Sequence, residues 1–195
     1  MTQKGDGDDH DNADVARIKG EVRHWLTRAV IGLNLCPFAK SVHVKGQVRY
    51  VVSDATRDED LLDELERELT LLVESDPEAI DTTLLIVPRA LSDFLAYNDF
   101  LYVADQLLQS LRLDGTLQIA SFHPQYQFEG AGPDDIENYT NRAPYPIFHL
   151  LREDSIARAA EVFPEAEDIY ERNMETLRRL GHAGWLEWMA GKSDL

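Results

Sequence analysis

Two side chains in this sequence are of the types that acid–base or covalent catalysis needs, and each stands directly before a proline: His123 before Pro124, and Cys36 before Pro37. An unperturbed imidazole titrates at about pH 6.5, so His123 suits proton transfer around neutrality. Tyr126 follows three residues on and places a phenol on the same loop as a second candidate. Cys36 is the single cysteine, and its thiolate would be a nucleophile, helped by a nearby histidine. Each has a plainer alternative. A histidine fixed before a proline can serve only to fasten its loop, and free cysteine is among the most buried residue types.

Two arginines add a second kind of chemistry. Arg89, after a predicted strand, and Arg142, in the long connection, are the basic groups near one sheet edge of an otherwise acidic chain, where a guanidinium can clamp a carboxylate or phosphate with two parallel hydrogen bonds. The alternative is a surface ion pair, Arg89 with Asp93 or Arg142 with Glu137. Around Arg142, the segment Asn138-Tyr139-Thr140-Asn141-Arg142-Ala143-Pro144-Tyr145-Pro146 is dense in hydrogen-bonding groups and stiffened by prolines. Asn141, Tyr145 and the following His149 could orient a small polar or anionic molecule, or tie down a long loop.

Cys36, His123 and His149 could in principle hold a metal. They contain no close ligand pair of the Cys-x-x-Cys or His-x-x-x-His kind, so the residues call for no metal and name no cofactor. The string Cys36-Pro37-Phe38-Ala39 has alanine where a thioredoxin-type site has its second thiol. No phosphate-cradling glycine loop and no Gly-x-Ser-x-Gly elbow occurs.

These residues must be positioned by a chain of 195 residues with a formal net charge of −17. Nucleic-acid affinity rests on clustered Lys and Arg, which are lacking, so nucleic acid and anionic membrane are disfavoured as partners. No apolar run reaches the length of a membrane helix. Residues 1–14 carry five aspartates against one lysine and read as a disordered acidic leader. The lone cysteine and the lack of a signal segment point to a cytoplasmic protein. Nothing in the sequence sets the oligomeric state.

Hydrophobic periodicity supplies the elements. A helix is expected over Val15 to Leu33, closed by Pro37, then a linker and a strand from Val48 to Ser53. Thr56 and Glu59 form a capping-box pattern for a second helix. A fully apolar strand, Leu84 to Val87, stops at Pro88-Arg89, and Ser92 caps a third helix. A third strand spans Leu117 to Phe122. A long Pro/Tyr-rich connection then leads to a fourth strand, Ile147 to Arg152. A short helix runs from Asp154 through Val162, and a last helix opens at Pro164 and stops at Gly181. Residues 182–195, with Trp185 and Trp188, form a tail that docks on the body of the domain.

The alternation predicts one α/β domain over residues 15–181, with a mainly parallel βαβ sheet of about four strands flanked by helices. A ferredoxin-like α+β arrangement is the alternative. If the first three strands run the same way, Ser53-Asp54, Pro88-Arg89 and His123-Pro124 share one sheet edge, where open α/β sheets bind ligands.

Four segments carry a resemblance: Gly32 to Ala39, Ser121 to Phe128, Asn138 to Pro146, and His149 to Glu153. On these, the chain resembles, from Val15 to Gly181, the bacterial family catalogued as domain of unknown function 1415. The resemblance implies a bacterial single-domain protein and carries no reaction, ligand or catalytic residue with it. Three functional classes therefore stand. One is an enzyme acting on a small polar or anionic molecule at the His123–His149 loop. The second is a non-catalytic protein-interaction module using that loop and the tryptophan tail. The third is a metal or haem protein through Cys36 and histidine.

Overall fold

The computed structural model describes residues 6–162 and 168–191. Its centre is a four-stranded sheet of β1 (Val48–Val52), β2 (Thr82–Ile86), β3 (Leu117–Phe122) and β4 (Ile147–Arg152), in the order β1-β2-β4-β3. Successive side chains on a strand point to opposite faces. The apolar strands β2 and β4 therefore feed two cores. Leu84, Ile86 and Ile147 face one side, where they meet α1 (Asp6–Trp25), the π-helical turn Leu26–Ile31 and α6 (Ile169–Met189). Leu85, Val87, Phe148 and Leu150 face the other, against α3 (Asp58–Glu74) and α4 (Phe94–Ser110). In α3 the leucines 61, 65, 69 and 72 are fully buried, each worth about 2 kcal/mol of transfer free energy. Arg49 on β1 reaches the same layer and makes a bidentate pair with Glu68 of α3, at 2.8 and 2.9 Å.

The sheet is mixed, and mostly antiparallel, where a mainly parallel sheet was expected. Only β1 and β2 pair in parallel; β4 runs antiparallel to both β2 and β3. The reason lies in the connections. A parallel neighbour needs a crossover, usually a helix, and α3 and α4 supply two of these. Between β3 and β4 the chain holds only a short 3-10 helix, Ile136–Thr140, so β4 returns alongside β3 and fills the gap beside β2. The first three strands still run in one direction, and Ser53-Asp54, Pro88-Arg89 and His123-Pro124 leave the sheet on the same edge.

Several boundaries differ from expectation. α1 begins at Asp6, inside the stretch read as a leader, and gives way to the π turn after Trp25. Asn34 in the left-handed region (φ 54°), three residues before Pro37, ends that run. A short helix, α2 (Ala39–Val44), occupies part of the expected linker. The Thr56 capping box does not form: α3 starts at Asp58 behind an extended Arg57. Asp93, not Ser92, caps α4, accepting from the backbone N–H groups of Leu95 and Ala96 at 3.1 and 2.9 Å. Gly181 (φ 63°, ψ 175°) kinks α6 and does not stop it, so Trp185 and Trp188 are carried down onto the domain and buried. Pro164 lies outside the described residues, and α5 (Glu153–Val162) precedes it.

A candidate ligand cleft beside an occupied strand edge

At the strand edge, His123 is fully buried. Its Nε2 lies 3.0 Å from the Leu91 carbonyl, which can only accept, so Nε2 carries the proton; Nδ1 accepts from the Gln125 N–H, also at 3.0 Å. The ring packs between Phe94 and Tyr97, at 5.3 and 5.1 Å between centroids. Burial lowers the imidazole's pKa below its ordinary value. Leu91 sits in the left-handed region (φ 53°), so this bond holds a turn that an isolated chain would resist.

The neighbouring candidates are committed in the same way. The Asn141 carbonyl accepts from the His123 N–H at 3.1 Å, and its side-chain amide donates to Ser121 O at 3.0 Å. The Tyr126 ring packs on Phe94 and Phe128, at 5.2 and 5.0 Å. Arg89 pairs with Asp11 (3.2 Å) and Asp54 (3.5 Å) rather than with Asp93, whose carboxylate is spent on its cap.

Cys36 and His149 both belong to the layer on the α1 side. Cys36 is half-buried against that core, and burial pushes its thiol up, away from the thiolate a nucleophile needs. His149 Nε2 donates to Thr82 Oγ1 at 2.8 Å, while the Thr82 hydroxyl donates to Leu150 O at 2.6 Å. Burial lowers the pKa of His149 to about 4. Among the described residues, no group of three or more His, Cys, Asp or Glu side chains is placed to hold a metal ion.

The open space lies elsewhere. A cleft of about 660 Å³ runs between α1, α6 and the long connection. One wall is a stripe of α1, Arg17, Gly20, Glu21 and His24, spaced i, i+3, i+4 and i+7 on one helix face, with Trp25 beneath. Trp185 and Met189 of α6 form another wall, and Pro124, Tyr139, Arg142, Ala143 and Pro144 complete it. A second depression, about 500 Å³, is lined only by residues of α3 and is a solvated helix flank.

Arg17 and Glu21 of this cleft pair with each other; Arg142 is its other cation. Its Nε and Nη2 donate to the carbonyls of Tyr126 (3.1 Å) and Pro133 (2.6 Å), and its guanidinium lies 4.8 Å over the Tyr139 ring. Its own carbonyl accepts from Trp25 Nε1 at 2.9 Å. Among the described residues it pairs with no carboxylate, because Glu137 is taken by Arg178 at 2.5 Å. The guanidinium is thus pre-oriented by carbonyls and not by an ion pair.

At the rim, Arg17 bridges Glu21 (2.9 Å), Asp14 (3.3 Å) and the Tyr145 hydroxyl (3.2 Å), and that hydroxyl donates to Glu21 at 2.5 Å. The phenol holds the Glu21 carboxylate below its usual range. Desolvation, then the neighbouring Glu21, raises the Tyr145 phenol. His24 donates Nε2–H to Met189 O at 2.8 Å, which leaves Nδ1 as the ring's acceptor. An apolar floor, one carboxylate-free cation and one fixed imidazole suit an organic anion.

Of the residues singled out in the sequence, the structure brings Arg142 into the cleft and Tyr145 to its rim. His123, Asn141 and Tyr126 lie behind it as its framework. Arg17, Gly20, Glu21 and His24 were missed, though their helical spacing on one side of an amphipathic helix was readable. Arg152 of the fourth motif is structural: it donates to the carbonyls of Leu72 and Ser75 at the C-terminal end of α3 and to that of Ile80 in the connection that follows.

A three-layer α/β domain with a mixed sheet, carrying an amphipathic cleft between two helices and a proline-stiffened loop, is the class that fold and site define. Residues 17–187 match the family described as "Protein of unknown function (DUF1415)", and the chain belongs to it. No curated protein and no solved structure matches the chain. No helix among the described residues is long and apolar enough to cross a membrane.

Proposed function

We propose that this protein binds a small organic anion, a carboxylate or phosphate with an apolar body, in the cleft between α1, α6 and the Asn138–Pro146 segment. The observation that carries this reading is Arg142. A guanidinium fixed at the cleft by two carbonyls, with no carboxylate partner among the described residues in a chain of net charge −17, is left able to pair with an incoming anion. The volume, about 660 Å³, falls in the range of about 300–1,000 Å³ usual for small-molecule sites. Three aromatic rings and few polar groups on the walls also fit such a ligand. His123 serves as a fastener of the loop that presents Arg142, not as the proton-transfer residue.

The test is calorimetric titration with benzoate and phenyl phosphate, and with benzamidine as a cation of matching shape. Saturable binding of the anions but not the cation is expected. Arg142→Gln should weaken anion binding by about tenfold to a hundredfold, the worth of a charge-assisted hydrogen bond. Equal binding of anion and cation, or an Arg142→Gln variant that folds and keeps full affinity, would refute the proposal.

A further inference from the structure

We infer that Gly20 is the specificity-determining position of this cleft, and that the space above it receives the ring of an aryl carboxylate or aryl phosphate. This rests on the reading of the cleft as an anion site and adds the shape of the ligand. Glycine inside a helix is unfavourable and usually has a local cause, either a left-handed backbone or a close neighbour. Gly181 has the first, with φ 63°. Gly32 and Gly184 have the second: an added Cβ would lie 2.3 Å from Arg28 O at one and 3.1 Å from the Leu180 side chain at the other. Gly20 has neither. Its backbone is ordinary helix, and an added Cβ would meet nothing within 4 Å.

What lies over Gly20 is the cleft itself. Gly20 stands between Arg17 and Glu21 on the α1 wall, and Trp25, Tyr139 and Trp185 supply aromatic surface around the same space. Aromatic walls favour flat partners, by offset stacking or edge-to-face contact. A side chain at position 20 would project into that volume. Its absence leaves room for a ring whose anionic group meets Arg142 stacked on Tyr139.

The experiment compares phenyl phosphate with inorganic phosphate on the full chain carrying Gly20, Gly20→Ala or Gly20→Leu, by calorimetry, with thermal unfolding as the control. The parent chain should bind phenyl phosphate at least about tenfold more tightly than inorganic phosphate, as buried ring area predicts. Gly20→Leu should lose that preference and leave the affinity for inorganic phosphate within about twofold, with Gly20→Ala between them. Unchanged phenyl phosphate binding in both variants would overturn the role of Gly20 while the anion site stands. A parent chain that binds neither anion would overturn the anion site and this inference together. Should Gly20→Leu fail to fold, Gly20→Ala alone decides by the same ratio.

Discussion

The strand edge around His123 and the cleft around Arg142 are built from the same loop, yet their polar groups are used in opposite ways. At the edge, both ring nitrogens of the fully buried His123 bond to backbone groups, and the side-chain amide of Asn141 donates to Ser121 O. In the cleft, Arg142 donates to two carbonyls and pairs with no carboxylate among the described residues, and the α1 stripe bonds across the rim without closing the space. Residue type alone does not tell a site from its scaffold. The distinction lies in whether a polar group's hydrogen-bonding capacity is exhausted by the fold.

The largest effect that would test this contrast is His123→Ala. It removes a fully buried ring and orphans the Leu91 carbonyl and the Gln125 N–H, so unfolding in urea should show a loss of about 3 kcal/mol or more. The protein that remains folded should keep its affinity for phenyl phosphate. A variant of parental stability with no anion binding would move the functional site to the strand edge.

The second effect is a pH dependence from His149. Its folded pKa, about 4, lies below the ordinary 6.5, so between these values the unfolded chain binds more protons than the folded one. Stability from this group is therefore complete above about pH 6.5 and falls as the pH drops toward 4, by about 2–3 kcal/mol. His123 shifts in the same direction. The difference in unfolding free energy between pH 7 and pH 4.5 should be smaller in His149→Gln than in the parent. An identical pH profile for the two would show that His149 is not held neutral by burial.

A third effect comes from Gly32. Its Cβ would stand 2.3 Å from the Arg28 carbonyl and 3.0 Å from the Trp188 ring. Neither can retreat freely, because Trp188 Nε1 donates to Arg28 O, and Arg28 in turn donates to Trp188 O. Gly32→Ala should cost about 2 kcal/mol, and the loosened end of α6 should weaken the cleft as well. A stability equal to the parent's would mean that the π turn relaxes around the methyl group.

How much of this was legible follows from the same physics. The strands Leu117–Phe122 and Ile147–Arg152 were read to the residue, because Asp114-Gly115 and His123-Pro124 bracket the first and Pro146 and the acidic helix start at Glu153-Asp154 bracket the second. The direction of β4 was missed because a strand buried on both faces looks apolar whether its neighbours are parallel or antiparallel. The helix-free connection before it held the answer. Arg142 and Tyr145 were legible because Asn138–Pro146 is unusual in composition. The α1 stripe was not: periodicity identifies the apolar face and assigns the rest to solvent, and Arg17, Glu21 and His24 are chemically indistinguishable from solvated residues until α6 and the loop arrive opposite them. His123 was read either as a proton-transfer residue or as a loop fastener, and only the fold reveals that both its nitrogens bond to backbone groups.

The smallest effect is the most discriminating, because its sign separates two glycines twelve positions apart. Gly20→Ala places a methyl group where nothing lies within 4 Å and restores helix propensity, so the protein should gain about 0.5–1 kcal/mol. The same substitution at Gly32 should destabilise. A glycine that lowers stability while touching nothing is explained by what the cleft admits, since proteins give up stability at sites that need room for a ligand. If Gly20→Ala instead destabilises, an unseen neighbour fills the space above α1, and the contrast between a filled edge and an open cleft loses its second half.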